Sequence, residues 1–252
     1  VVYALSVERE LRIAIEEGQF ELFYQPQIAA DADEQASPCA MEALIRWHHP
    51  GRGLVSPATF IPIAEETGLI QPLGDWVLDE ACRCLASWKA AGLGPQRVAV
   101  NLSVHQLRDP ALVSKVAASQ GRHGLGDGEL EIEITESVLM SDPAHAIEML
   151  QVLRALGVTI AIDDFGTGYS SLAYLKRLPI HVLKLDREFV RDIEFDENDA
   201  AISAATLALA HGLGLKVVAE GIETQAQSDF LRRHGCDYTS YRHRLSFMKS
   251  IT

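Results

Sequence analysis

Six short apolar runs, spread along the chain, each carry or end in a polar side chain that a buried strand does not tolerate alone. Residues 41–45 enclose Glu42. Residues 97–100 lead into Asn101, and 131–132 into Glu133. Residues 158–162 lead into Asp163 and Asp164, 182–183 into Lys184, and 216–219 into Glu220. Stretches of helical spacing separate most of these runs. The runs are almost continuously apolar, as expected of strands buried on both faces. Strand–helix alternation of this kind gives an α/β fold with a mainly parallel sheet. With 252 residues and about eight strand candidates, a closed barrel is favoured over an open sheet. The C-terminal strand ends of such a barrel meet at one mouth, where active sites lie.

The expected strands are residues 20–28, 39–47, 97–103, 130–134, 158–163, 182–185 and 215–220. Only a polar loop separates the first two, so that pair is expected to be antiparallel. The expectation is therefore a modified TIM barrel with one antiparallel strand near its start. Residues 48–57, rich in Gly and Pro, read as a loop. Ser6 is expected to cap a first helix, with Glu8 and Glu10 in its first turn. Asp142 and Pro143 open another helix in the order that cap chemistry prefers. Thr224 and Gln227 form a capping box for the last clear helix. No linker or shift of composition interrupts the pattern, so residues 1–252 read as a single domain, with an atypical end over 239–252.

Charge narrows the partners. Twenty-two Lys and Arg against 35 Asp and Glu leave a net charge of −13. Such a surface repels long nucleic acids, so no nucleic acid polymer is expected as a partner. Cys39, Cys82, Cys84 and Cys236 show no disulfide or zinc spacing, which suits a reducing, cytoplasmic setting. The most apolar stretch, 202–219, is broken by Ser203, Thr206, His211 and Lys216 and is too polar to span a membrane. No cleavable leader is read at the start.

Glu42, Glu133, Asp163, Asp164 and Glu220 bring five negative charges to the expected mouth, and Lys184 brings one positive charge. Structural ion pairs would account for any one of these residues. They do not account for the set, because four excess negative charges at low dielectric repel strongly. Two divalent cations would balance them. Oxygen donors without His or Cys suit hard ions such as Mg²⁺ or Mn²⁺, and two such ions held close together mark phosphoryl chemistry. Arg46, four residues after Glu42 on the same strand face, is placed to hold a phosphate oxygen or to make a surface ion pair. Lys184 is placed to orient or deprotonate an attacking water.

The run Glu42-Ala43-Leu44 followed by Ile45-Arg46-Trp47 resembles the signature of the EAL domain family, bacterial phosphodiesterases that cleave cyclic di-GMP to linear pGpG. The accompanying motifs, in family order, strengthen the resemblance: 23–26 (FYQP), 101–103 (NLS), 133–136 (EITE), 163–171 (DDFGTGYSS), 184–186 (KLD) and 219–223 (AEGIE). The resemblance implies that Glu42, Asn101, Glu133 and Asp163 bind one Mg²⁺ or Mn²⁺ ion, and that Asp163, Asp164 and Glu220 serve a second. It implies that Lys184 contacts the nucleophilic water, and that Gln25, Leu44 and Arg46 contact the dinucleotide. Lys184, Glu42, Asp163 and Glu220 are thus the expected catalytic set. Glu136 would brace the loop 164–171, which in the family links metal occupancy to dimer contacts, and Glu223 would support the metal ligands from behind. A homodimer is expected, with apolar surface from Tyr169, Leu172, Tyr174 and Leu175. The chain is expected to come from a longer signalling protein with an upstream sensory or GGDEF-type domain, cytoplasmic or on the cytoplasmic side of a membrane.

The resemblance falters at the end of the chain. After Cys236-Asp237-Tyr238 the family carries a Gln that organises water near the metals, then a Gly. Here Ser240 and Tyr241 stand at those places. The final strand is therefore expected to be irregular, because a Gly there suits an unusual backbone. A receptor that binds cyclic di-GMP without cutting it is the alternative. The presence of every carboxylate, Asn101 and Lys184 argues for the enzyme. An unrelated Mg²⁺-dependent barrel, such as an enolate-forming enzyme, would share the acidic mouth but not the order of the motifs.

Overall fold

The computed structural model describes residues 2–33, 36–166 and 175–241. The chain opens with helix α1 (Val2–Glu17) and the strands β1 (Phe20–Ala29), β2 (Ala40–His49) and β3 (Gly53–Val55). Helices α2 (Pro57–Glu66) and α3 (Ile70–Ala90) precede β4 (Arg97–Asn101), α4 (Val104–Leu107) and α5 (Leu112–His123). Then come β5 (Leu130–Thr135), α6 (Glu136–Ser141), α7 (Pro143–Ala155), β6 (Thr159–Phe165) and β7 (Val182–Leu185). The described part ends with α8 (Arg187–Arg191), α9 (Glu197–Gly212), β8 (Lys216–Ile222), α10 (Gln225–Arg233) and β9 (Tyr238–Tyr241).

The strands run β1-β9-β8-β7-β6-β5-β4-β2, and β1 pairs with β2 to close the barrel. From β2 through β9 the neighbours around the barrel are parallel. β1 is antiparallel to both of its neighbours, as the short loop before β2 requires. Side chains alternate between the lumen and the helix shell along each strand. The shell face supplies the main core, from Leu22 and Trp88 through Ile132 and Ile160 to Leu231. A second core under α1 and α2 gathers Val7, Leu11, Phe20, Trp47 and Phe60. In the lumen, Ala161, Val182 and Val218 form a small cluster against Tyr238.

Several local expectations hold. Asp142 accepts from the His145 amide at the start of α7, and Thr224 and Gln227 form a reciprocal capping box on α10. The four cysteines are free thiols. Others need correction. Ser6 lies inside α1, and its hydroxyl donates to Glu10 Oε1 at 2.8 Å instead of capping the helix. The stretch read as a loop after β2 contains β3, which folds back antiparallel onto β2. The final strand is regular on its β1 side, pairing Gln27 with Ser240 and Ile28 with Thr239, and the expected irregularity is found on its β8 side, where the register shifts between Ala219 and Ile222. Among the described residues Asp164 alone of the non-glycines has a left-handed φ, 53°. Tyr241 therefore sits in ordinary strand backbone and needs no glycine. Its ring is buried and its hydroxyl lies 3.1 Å from Ser228 Oγ. Residues 242–252 and the loop positions Tyr169, Leu172 and Tyr174 lie outside the described residues. Leu175 is described and buried. Among the described residues no helix is long and apolar enough to cross a membrane.

Candidate active site

Parallel strands bring their C-terminal ends to one mouth, and five of them place a polar side chain around the Lys184 ammonium. Lys184, on β7, is 1% exposed. Its Nζ lies 2.6 Å from Glu133 of β5, 2.8 Å from Glu220 of β8, 3.2 Å from Glu42 of β2 and 3.4 Å from Asp163 of β6. Asn101, at the end of β4, donates from Nδ2 to Glu42 Oε1 at 3.0 Å. Asp164 follows Asp163, and its amide donates to Asp163 Oδ1 at 3.0 Å. The residues expected to hold metal and water are thus gathered in one place.

The charges explain one another. Burial disfavours the Lys184 cation, yet Glu133, Glu220, Glu42 and Asp163 outweigh it and hold the amine well above its ordinary range. Lys184 is thus the cation around which the four carboxylates close. Burial also works against the Glu42 anion. The Lys184 charge and the bonds from Asn101 and Lys184 prevail, and its carboxyl falls below the usual range. Glu133 moves the other way, raised well above the usual range by burial and then by the Glu42 charge. Burial and the neighbouring anions bring Glu220 to about 8. Asp164 is raised to about 6 by burial, Asp163 and Asp186. One cation does not neutralise this group of carboxylates, which leaves room for further positive charge.

Among the described residues no three or more His, Cys, Asp or Glu side chains stand grouped as a metal site. The carboxylates close on Lys184 instead. The donor chemistry nevertheless fits hard divalent ions. Every donor is oxygen, negative charge is in surplus, and the buried Glu133 Oε1 has no hydrogen-bond partner.

The remaining expected residues line the approach. An apolar pocket of about 300 Å³ opens beside the cluster, walled by Leu44, Arg46, Pro57, Ile61, Leu102 and Val138, and bordered by Asn101. Arg46 is half-buried. It donates to the Ile45 carbonyl at 2.9 Å, and its guanidinium lies 5.3 Å from the centre of the Phe23 ring. Gln25 donates to Ser240 Oγ at 2.7 Å. Glu136, buried at the start of α6, accepts from the Gly166 amide at 3.3 Å, so it holds the first residues of the loop it was expected to brace. Gly166 has φ 99°, and a Cβ there would lie 2.8 Å from the Phe189 ring. Glu223 is exposed, just past β8, and its amide donates to Gln227 Oε1 at 2.7 Å.

Sequence reasoning gave no role to Asp186, Arg97 or Glu131. Asp186 was visible only as part of a motif, yet its charge acts on Asp164. Arg97 and Glu131 form an ion pair inside the barrel, with Nε and Oε2 3.0 Å apart. The available signal was a charged residue two places before Glu133 in an otherwise apolar strand.

Comparison with known proteins agrees with this geometry. Residues 8–240 match the profile of the EAL domain. The chain is 48% identical over 233 residues to the bifunctional diguanylate cyclase/cyclic di-GMP phosphodiesterase MucR of Pseudomonas aeruginosa, covering 92% of this chain and 34% of that protein. It is equally identical to the cyclic di-GMP phosphodiesterase NbdA of the same organism, covering 92% of this chain and 29% of that one. The chain thus spans about a third of the length of these relatives. A solved structure, the PaMucR phosphodiesterase in a c-di-GMP complex, superposes with a TM-score of 0.88 at 46% identity and 94% coverage of both chains.

Proposed function

The chain belongs to the EAL domain family, and from that premise we propose that it is a metal-dependent phosphodiesterase that opens one phosphodiester of cyclic di-GMP to give linear pGpG. The observation that carries this reading is the buried Lys184 ammonium held by Glu42, Glu133, Asp163 and Glu220 beside the Leu44–Arg46 pocket. The likeness to a c-di-GMP complex supports the same ligand here.

In this reading the apolar wall of Leu44, Pro57 and Ile61 takes a guanine base, and Gln25 positions the dinucleotide. Arg46 offers its guanidinium to a phosphate oxygen, and its hold on the Ile45 carbonyl reduces the entropy lost on binding. Lys184 orients the attacking water toward phosphorus, and one of the mouth carboxylates takes the proton that the water gives up as its oxygen bonds to phosphorus and the ribose oxygen leaves. Glu42, Asn101, Glu133, Asp163, Asp164 and Glu220 would hold two ions, Mg²⁺ or Mn²⁺, which when bound supply Lewis-acid stabilisation of charge on the phosphate oxygens. Glu136 fixes the start of the loop beyond Asp164, and Glu223 steadies the end of β8.

The relatives are longer, so the chain is read as one module of a signalling protein, with a sensory or GGDEF-type domain upstream and a cytoplasmic setting. A homodimer through the 164–171 loop belongs to the same reading. The test is incubation with cyclic di-GMP and Mn²⁺, with separation of the products. Linear pGpG, abolished by excess EDTA, is the expected result. Tight binding without cleavage would favour a receptor instead, the reading to which Ser240 in place of Gln lends weight.

A further inference from the structure

At the end of the barrel opposite the mouth, the segments that lead into β6, β7 and β8 enclose a cavity of about 630 Å³. Arg154 reaches it from the last turn of α7, Lys176 and His181 from the approach to β7, and Lys216 from the first residue of β8. Leu178 and Leu213 add apolar wall. Among the described residues no Asp or Glu lines this cavity, although the chain as a whole carries a net charge of −13.

His181 is fixed in place at the floor of this cavity by three hydrogen bonds. Its amide donates to the Ile160 carbonyl at 2.9 Å, and its own carbonyl accepts from the Lys216 amide at 2.9 Å. Its ring Nδ1 accepts from the Ile160 amide at 3.0 Å. A ring that accepts at Nδ1 carries its proton on Nε2, and burial with the Arg154 charge favours that neutral form. Among the described residues the Nε2–H meets no acceptor, and the exposed side chains of Arg154 and Lys176 make no hydrogen bond or ion pair. Lys216 reaches Asp237 at 2.7 Å, which offsets part of its charge. The negative end of a helix attracts cations, which accounts for Arg154 at the end of α7. It does not account for a neutral, immobilised N–H donor set among cations.

We propose that this cavity binds a small phosphorylated anion, whose phosphoryl oxygens accept hydrogen bonds from Arg154, Lys176, Lys216 and the His181 Nε2–H. A guanidinium matches two phosphate oxygens at once, and ammoniums add point charges. The His181 donor adds direction, because its ring is already held and loses little freedom on binding. The cavity has the size of small-molecule sites, and the net charge of the chain argues against a nucleic acid polymer as occupant. A free phosphate anion and a nucleotide with its base on the Leu178–Leu213 wall share the recognising chemistry. The proposal does not depend on the reaction at the mouth.

The experiment is calorimetric titration of the chain with inorganic pyrophosphate and, separately, with GDP, in EDTA at low salt. Without metal the carboxylates of the mouth repel anions, so heat reports on the opposite end. Binding of one pyrophosphate per chain is expected. Arg154→Gln and Lys176→Gln should each weaken it by about three- to tenfold. His181→Asn, which offers the Ile160 amide a side-chain oxygen but lacks the Nε2–H, should weaken it by about threefold or more. Lys115→Gln removes the same charge from α5, away from the cavity, and should leave affinity unchanged. GDP binding tighter than pyrophosphate would assign the site to nucleotides, and GDP binding no tighter would assign it to free phosphate anions; either upholds the proposal. No binding of either probe at millimolar concentration would overturn it. So would wild-type affinity in both Arg154→Gln and Lys176→Gln, or an equal loss in Lys115→Gln, which would mark general attraction between charges. Arg154 and Lys176 are exposed, so their variants decide the matter even if His181→Asn does not fold.

Discussion

Gln25 and Ser240 join the first strand of the barrel to the last: Gln25 Nε2 donates to Ser240 Oγ at 2.7 Å. Ser240 is 1% exposed, so water does not readily replace it. The hydroxyl fixes the amide of a residue expected to touch the dinucleotide. Ser240→Ala should weaken cyclic di-GMP binding by roughly three- to tenfold, the worth of one buried hydrogen bond. Calorimetry in Ca²⁺, which binds hard-oxygen sites but positions ligands loosely, would measure it without turnover. Unchanged affinity would mean that Gln25 is held by other means or makes no contact.

Tyr241 closes the described barrel. Its ring is buried and its hydroxyl meets Ser228. Tyr241→Gly should therefore destabilise the fold by about 3 kcal/mol, through loss of an aromatic ring from the core. Tyr241→Phe should lose only about 1 kcal/mol, the value of the hydrogen bond. Urea melts of the three proteins decide this. A Tyr241→Gly variant as stable as the wild type would show that the strand end contributes little.

Asp237 sets an acid limit. It accepts from Lys216 at 2.7 Å, from His211 at 2.9 Å and from the Val217 amide at 2.9 Å. Burial opposes its ionisation, but these partners outweigh burial and hold its carboxyl below the usual range. A carboxyl depressed in the folded state adds stability above its unfolded pKa, about 3.9, and loses it as pH falls through the lower folded value. Asp237→Asn should be less stable at pH 7 and show a flatter loss of stability below about pH 5. Parallel acid dependence in the two proteins would exclude Asp237 as a source of that slope.

The mouth was legible in the sequence because two simple regularities suffice. Period-two alternation puts Glu42, Glu133, Asp163, Lys184 and Glu220 on lumen faces, and parallel strands put their ends together. What the sequence withheld depends on contacts between strands far apart in the chain. That Lys184 stands at the centre of four carboxylates follows from the strand order, which no local pattern encodes. The Arg97–Glu131 pair was hidden because its members lie on neighbouring strands separated in the chain by α4 and α5. β3 was missed because three residues carry too little pattern to distinguish them from a loop, and Ser6 because an apolar turn of helix precedes it.

Lys184 stands at the centre of the mouth, and one comparison tests its role directly: single-turnover cleavage of cyclic di-GMP by the wild type and by Lys184→Ala at saturating Mn²⁺, with dinucleotide affinity measured in parallel. The wild type is expected to release linear pGpG. The variant is expected to lose at least about a thousandfold in rate, roughly 4 kcal/mol of transition-state stabilisation, while its affinity for the dinucleotide stays within a few-fold. Cleavage by Lys184→Ala at the wild-type rate would contradict the assignment of the mouth cluster as the reaction centre.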